Sequence, residues 1–296
     1  MQVTAAMVKE LRERSGAAMM DCKKALVETD GDIEAALDVM RKSGAAKAAK
    51  KAGRIAADGA VIIKVVGECA VIAEINSETD FVAKDENFVS FGANVVTTIL
   101  GSKATNPDEL ANQTLANTTG SVESERQQLS AKVGEKISIR RFERLQSSNL
   151  WIDYLHGNRI GVLVELEGGD RELGKDIAMH IAAINPVCVG EEQVPAEIIS
   201  KEREIQIAQA EQSGKTPEIA EKMVAGRIRK FLAEITLTGQ PFVKDPDKTV
   251  GQLLKDNHAV VKSFIRYEVG AGIEKKEENF AEEVMAQARN ADGAGS

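Results

Sequence analysis

The sequence predicts an α+β protein, and three observations carry that reading. Hydrophobic spacing is helical over the first residues, changes to two-residue alternation after residue 55, and later returns to helix between further strands. Two hairpin-then-helix units follow one another, the pattern of a duplicated core whose antiparallel sheets are covered by helices. Aromatic residues make up only 4% of the 296, so aliphatic side chains must build the interior.

Residues 1–45 read as three short helices. Thr4 is placed to cap a helix burying Val8 and Leu11, which Ser15-Gly16 ends. Met19, Cys22 and Leu26 recur at i, i+3 and i+7, one face of a second helix. Asp32 caps a third through Ile33, Ala36, Leu37 and Met40, with Ser43-Gly44 as its stop. Three helices of this size form a bundle resembling ubiquitin-associated domains. It is too small for a catalytic cavity and reads as a recognition module. From Arg41 to Arg54 follow Arg41, Lys42, Lys47, Lys50, Lys51 and Arg54 with no acid between them. This stretch is either a solvated helical linker or a surface for phosphates or an acidic partner.

Beyond it, Ala60–Val66 and Ala70–Asn76 are β-rich runs broken at Gly67-Glu68, a hairpin. A polar loop, Ser77–Asn87, leads to a helix marked by Phe88, Phe91, Val95 and Ile99. Residues 101–120 are rich in Asn, Thr and Gly and read as a surface excursion. Val122–Val133 is helical in composition, and Lys136–Arg144 alternates like a strand. The second unit begins at Leu150: strands Leu150–Leu155 and Arg159–Leu166 flank His156-Gly157-Asn158, and a helix carries Leu173, Ile177, Ile181 and Ile184. Pro195–Gln212 and Pro217–Ala233 each show a narrow apolar seam, the pattern of an inserted antiparallel coiled-coil hairpin. Thr249 with Gln252 makes a capping box, and residues 261–269 alternate as a strand. Glu274–Arg289 reads as an acidic helix before a Gly/Ala/Ser tail, a C-terminal helical module.

The net charge is −8, but residues 1–54 carry +3 and the rest −11. An acidic chain is a poor coat for nucleic acid, so nucleic-acid binding survives only as an alternative resting on the basic 41–54 segment. No run of 18 apolar residues occurs, no signal-peptide pattern opens the chain, and three widely spaced cysteines make no disulfide framework. The expectation is a cytoplasmic protein without membrane contact. Phosphate loops, dinucleotide fingerprints and nucleophile elbows are missing from the sequence. His156, His180 and His258 stand singly without metal-ligand spacing, so no catalytic residue, metal site or cofactor is expected. His180, in an apolar helix, reads as a satisfied core residue.

One loop stands out: Ser77-Glu78-Thr79-Asp80-Phe81-Val82-Ala83-Lys84-Asp85. Phe81 either anchors the loop to its own core, with Thr79 or Asp80 capping a helix, or is an exposed interface anchor.

These residues resemble the bacterial elongation factor Ts family, guanine-nucleotide exchange factors for elongation factor Tu. The resemblance runs from about residue 3 to 288 and is carried by the segments Val8–Gly16, Met19–Leu26, Arg41–Gly44, Thr79–Lys84, His156–Val164 and Leu237–Val243. It implies an N-terminal recognition domain (1–54) and a core N-subdomain (55–145). It further implies a core C-subdomain (146–186 and 229–270), an inserted hairpin of dimerisation type (187–228) and a C-terminal module (271–296). It also implies that Thr79, Asp80, Phe81 and Val82 push into the partner near its magnesium site. Met19, Met20, Lys23, Lys51, Val133, Gly134 and His156 match further contact positions of the family. A homodimer or a 2:2 complex with elongation factor Tu fits the same resemblance.

Overall fold

In the computed structural model, which describes residues 3–15, 17, 19–212 and 216–274, helix α1 (Ala5–Ser15) starts behind Thr4, whose Oγ1 accepts the Met7 N–H at 3.3 Å. Helix α2 (Met19–Glu28) follows, and α3 (Ile33–Lys51) starts at Asp32, which accepts the Ala35 N–H at 3.0 Å. Together they enclose Val8, Leu11, Cys22, Ala25, Leu26 and Ala36. Two expectations fail here. Met19 does not join the buried face of Cys22 and Leu26 but is 57% exposed. At the first residue of a helix the side chain leans toward the N-terminus, past the edge of this small core. Nor does Ser43-Gly44 stop α3, which runs unbroken to Lys51. A glycine costs a helix roughly 1 kcal/mol. Here the Ala/Lys-rich sequence after it and the burial of Gly44 and Ala48 against a later helix outweigh that cost. Arg41 to Lys51 of the basic segment therefore form the second half of a docked helix, with Arg54 just beyond its end.

The first core unit comprises β1 (Asp58–Val66), β2 (Cys69–Ser77), α4 (Glu86–Gly101), α5 (Pro107–Ala111), α6 (Val122–Val133) and β3 (Ser138–Gln146), with the antiparallel sheet order β1-β2-β3. Alternation along β2 sorts its side chains. Val71, Ala73 and Ile75 meet Phe88, Phe91, Val95 and Ile99 of α4, while Ala70, Ile72 and Glu74 face the other way. Residues 101–120 are more than a surface excursion. Leu110 and Leu115 are fully buried in the same cluster, closing its end beneath a polar exterior. Gly44 of α3 faces Ala131 of α6, so the N-terminal bundle is carried on the core by one continuous helix.

The second unit repeats the plan with β4 (Leu150–His156), β5 (Ile160–Glu167), α7 (Arg171–Ile184), α8 (Ala196–Gln212), α9 (Pro217–Ile235), a short pair β6 (Pro241–Phe242) and β7 (Asp245–Thr249), α10 (Val250–Asp256) and β8 (Val260–Glu268). Its main sheet is β4-β5-β8, again antiparallel. Leu173, Ile177 and Ile181 of α7 pack on Val162, Val164 and Leu166, whereas Ile184 at the helix end is exposed. The two sheets meet through Val61, Ala70 and Ile72 on one side and Trp151, Leu163 and Tyr267 on the other. The architecture is four layers: helix, sheet, sheet, helix. Thr249 caps α10 by accepting the Gln252 N–H at 3.1 Å, but Gln252 turns to Asp256, so only half of the capping box forms.

His180 is buried as expected. Its Nδ1 accepts the Val243 N–H at 3.2 Å and its Nε2 bonds Gln240 Oε1 at 3.0 Å; burial holds its pKa below the usual imidazole value. Helices α8 and α9 project as a pair packed through Ile199, Ala210, Ala220, Val224, Ile228 and Leu232. Arg227 bonds both Gln206 and Gln209, the pairing of antiparallel helices. All but Glu274 of the acidic helix expected at 274–289, and all but residues 271–274 of the module at 271–296, lie outside the described residues.

Each central strand carries a glutamate followed by a register shift, Glu74 in β2 and Glu165 in β5. Glu74 is fully buried and accepts from Arg140 (2.9 Å), Arg141 (2.7 Å), Asn76 (3.1 Å) and the Gly270 N–H (2.8 Å). Burial alone would raise its pKa, but the bonds from Gly270, Arg140, Asn76 and Arg141 outweigh it and hold the carboxyl below its ordinary value.

Candidate functional site

The loop between β2 and α4 runs from Glu78 to Asp85. Phe81 stands on it 80% exposed, so the reading that anchors it in the chain's own core does not hold. One residue later a single 3₁₀ turn, Val82–Lys84, brings the chain back to the core: Ala83 is buried and Val82 packs against the first cluster. Thr79 Oγ1 accepts the Val82 N–H at 3.4 Å, at the start of that turn, but neither Thr79 nor Asp80 caps α4; that role falls to Asp85, which accepts the Asn87 side-chain amide at 2.8 Å and its backbone N–H at 2.9 Å. Those bonds, the side-chain one foremost, hold the Asp85 carboxyl below the usual range. Asp80 pairs with Lys84 at 2.7 Å on the exposed side of the turn.

What keeps the loop in shape is a reciprocal clasp with the turn after α6. Gly134, left-handed at φ 82°, ends α6 and redirects the chain. Glu135 then accepts the Glu78 N–H and the Thr79 N–H, both at 3.0 Å, and the Thr79 hydroxyl at 2.6 Å. In return Glu78 accepts the Lys136 N–H at 2.6 Å. Arg54 pairs with Glu78 at 3.3 Å, Lys136 Nζ donates to the Arg54 carbonyl at 2.9 Å, and Lys51 Nζ donates to the Ser130 carbonyl at 2.9 Å. Burial, with Arg54 nearby, pushes the Lys51 ammonium below its ordinary pKa.

The sequence-predicted residues therefore fall into three places. Lys51, Thr79, Asp80, Phe81, Val82, Val133 and Gly134 come together around the clasp. Met19, Met20 and Lys23 form a separate exposed face on α2, with Met20 61% exposed. His156 lies at the β4–β5 turn with its Nδ1 3.3 Å from the Tyr154 hydroxyl. That turn is not isolated from the loop. Leu155, Gly157 and Asn158 line one wall of an apolar groove of about 510 Å³, and Ala83, Lys84, Phe88 and Val89 line the other. Sequence reasoning missed Glu135. A carboxylate 56 residues from the hydroxyl it binds leaves no local spacing to read. A charged residue directly after a helix-ending glycine was the sole available hint.

Among the described residues, no group of three or more His, Cys, Asp or Glu could hold a metal ion, and no helix is long and apolar enough to cross a membrane. A large aromatic presented on a braced loop, with a separate exposed apolar face on α2, is the kind of surface carried by the class of proteins that work by contact with another protein. Comparison with known proteins gives that class a family. The family described as Elongation factor TS matches residues 78–271. Elongation factor Ts of Thioalkalivibrio sulfidiphilus is 62% identical over 98% of this chain and 100% of its own length. That of Methylococcus capsulatus is 60% identical over 98% and 99%, and that of Legionella pneumophila (strain Paris) 56% over 97% and 99%. The chain belongs to the elongation factor Ts family, among the translation elongation factors of protein biosynthesis.

Proposed function

We propose that this chain is a guanine-nucleotide exchange factor for elongation factor Tu, working in the cytoplasm. It binds the GDP form, disturbs the magnesium and phosphate site of the partner, and promotes GDP release so that GTP can enter. The observation that carries this reading is Phe81, 80% exposed on a loop bonded to Glu135. Thr79, Asp80, Phe81 and Val82 form the wedge. Val133, Gly134 and Lys51 shape the surface around it, while Met19, Met20, Lys23 and His156 supply contacts to either side.

The physical logic is linkage. Whatever stabilises the nucleotide-free shape of the partner weakens its hold on nucleotide, and nucleotide weakens the complex in return. A ~1000-fold acceleration of release requires about 4 kcal/mol at the barrier, and burying one phenylalanine contributes roughly 1.5–3 kcal/mol. The wedge thus carries much of the effect and the flanking contacts the remainder. No bond of the nucleotide is made or broken by this chain, so it is a factor and not an enzyme.

On this reading the α1–α3 bundle is a ubiquitin-associated-like recognition domain (1–54). Residues 55–145 and 146–186 with 229–270 are the two core subdomains, 187–228 is a coiled-coil insertion able to join two copies or touch the partner again, and 271–296 is a C-terminal module. The rival reading, nucleic-acid binding through residues 41–54, loses support because Arg41, Lys47, Lys51 and Arg54 are occupied by Asp38, Asp21, the Ser130 carbonyl and Glu78. The test is release of a fluorescent GDP analogue from elongation factor Tu, with and without this protein. An unchanged release rate removes the proposal.

A further inference from the structure

The exposure of Phe81 is a physical puzzle, because an apolar groove large enough for a phenyl ring begins two residues further along the chain. The groove of about 510 Å³ is walled by Ala83, Lys84 and Val89 on one side and Leu155 on the other, with Ile62 and Ile63 of β1 among its lining. Val89 and Leu155 are themselves exposed, 53% and 41%. Left to the hydrophobic effect alone, the phenyl would be drawn toward that lining. Bonds on both sides of Phe81 oppose the movement, and those on its N-terminal side converge on one residue. Glu135 fixes two consecutive backbone N–H groups and one hydroxyl, at Glu78 and Thr79, and the Ser77 hydroxyl donates to the Thr79 carbonyl at 2.8 Å. On the other side, buried Ala83 pins the 3₁₀ turn. With both ends held, the loop lacks the backbone freedom to turn its apex over.

We propose that Glu135 is a positioning residue: its clasp on Glu78 and Thr79 holds Phe81 out for the partner, and without the clasp Phe81 folds into the chain's own groove between α4 and the β4–β5 turn. The functional half of this inference rests on the exchange reading above; the conformational half does not. Loss of Glu135 would convert the wedge into a plug, leaving the factor folded but self-occupied.

The experiment uses the full chain with Phe81→Trp as a reporter. The one native tryptophan, Trp151, is 3% exposed and adds little to quenching. Acrylamide quenching of the introduced indole is compared with Glu135 intact, Glu135→Ala and Glu135→Gln. The Ala change should lower the quenching constant by about threefold and shift emission to the blue, as an indole leaving water does. The Gln change should largely restore exposure, since its amide oxygen can accept both N–H groups and its NH₂ can donate to the Thr79 hydroxyl. In the natural Phe81 background, Glu135→Ala should slow release of the fluorescent GDP analogue at saturating factor by roughly 10- to 100-fold, and Gln should recover most of it. If Glu135→Ala fails to fold, Thr79→Val removes one leg of the clasp, together with the bond its hydroxyl accepts from the Val82 N–H at 3.4 Å, and should give a smaller shift of the same sign. Unchanged quenching in the folded Ala variant, or in Thr79→Val where that is the variant read, overturns the proposal. Should the unaltered chain show no exchange, the exchange reading falls, while the quenching comparison still decides whether Glu135 holds Phe81 out.

Discussion

The two halves of the core make the same connection in different ways. Each central strand leads into a helix capped by an aspartate, Asp85 for α4 and Asp170 for α7. In the second half the link is only Gly168-Gly169-Asp170, with both glycines left-handed at φ 72° and 66°. A Cβ on Gly168 would collide with the His258 carbonyl, so that turn is as tight as backbone allows. In the first half the same link stretches from Glu78 to Asp85, carries Phe81 and is bonded to a carboxylate from a distant turn. The duplicated fold shows what is scaffold and what is added: the short link is sufficient to build the unit, so the long one answers to something outside it.

The comparison is broken most directly at Phe81. On the proposed function, Phe81→Ala should slow GDP release by about 30- to 1000-fold, the rate equivalent of about 2–4 kcal/mol at an interface. The same protein should melt within a degree or two of the parent, because an exposed ring adds little to folding. Stopped-flow release and thermal unfolding on one sample separate the two effects, and a large fall in melting temperature would contradict the exposed placement.

The glutamates of the central strands sharpen it next. Glu165 accepts from Ser147 (2.6 Å), Asn149 (2.8 Å) and Ser263 (2.8 Å), neutral donors that remain partly hydrated. Glu74 neutralises two arginines from a fully buried position. Removing it by Glu74→Ala should cost about 3 kcal/mol, the low end for breaking a buried pair, because both arginines keep some contact with water. Glu165→Ala should cost about 1 kcal/mol. Urea unfolding of both variants tests the ranking, and equal losses would refute it.

Acid gives a gentler version of the same contrast. Glu74 is held below its ordinary pKa of 4.5, so the unfolded chain binds its proton first as pH falls. Its contribution is complete above about pH 4.5 and fades as pH drops through the folded-state value. Glu74→Gln should therefore show a flatter loss of stability below that point. A decline as steep as the parent's would assign the acid sensitivity to other carboxylates.

The smallest effect is expected at the α8–α9 pair. Replacing residues 196–228 with a short Gly/Ser linker should preserve at least part of the exchange activity, since the seam of Ile199, Val224 and Ile228 is spent within the pair. Complete loss of exchange in a folded variant would move that hairpin into the working surface.

Much of this architecture is legible in local patterns because local forces set it. Thr4, Asp32 and Thr249 cap helices as their side chains dictate, and the hairpin at Gly67-Glu68 follows from β-rich runs on either side. The misreadings share one cause. Gly44 reads as a stop, residues 101–120 as surface, and Met19 as core, and in each case tertiary packing decides otherwise: Ala131 receives Gly44, the first cluster swallows Leu110 and Leu115, and the bundle ends short of Met19. The site was half visible. Phe81 is conspicuous as an aromatic in a polar loop, whereas Glu135 becomes meaningful only once folding has brought it to Thr79.

The unbroken passage of α3 from the bundle onto α6 has a mechanical consequence. A helix of 19 residues is a strut about 28 Å long, and this one is held at its far end, where Lys51 donates to the Ser130 carbonyl of α6 and Arg54, just beyond the helix, pairs with Glu78 of the Phe81 loop. On the proposed function, the α2 face with Met19 and Met20 and the tip of the loop are then two jaws of a single caliper, joined by that helix. A flexible tether would let each jaw find its own seat in turn; a caliper instead gauges its object. On that reading, only a surface whose two seats match the caliper's opening is gripped by both at once.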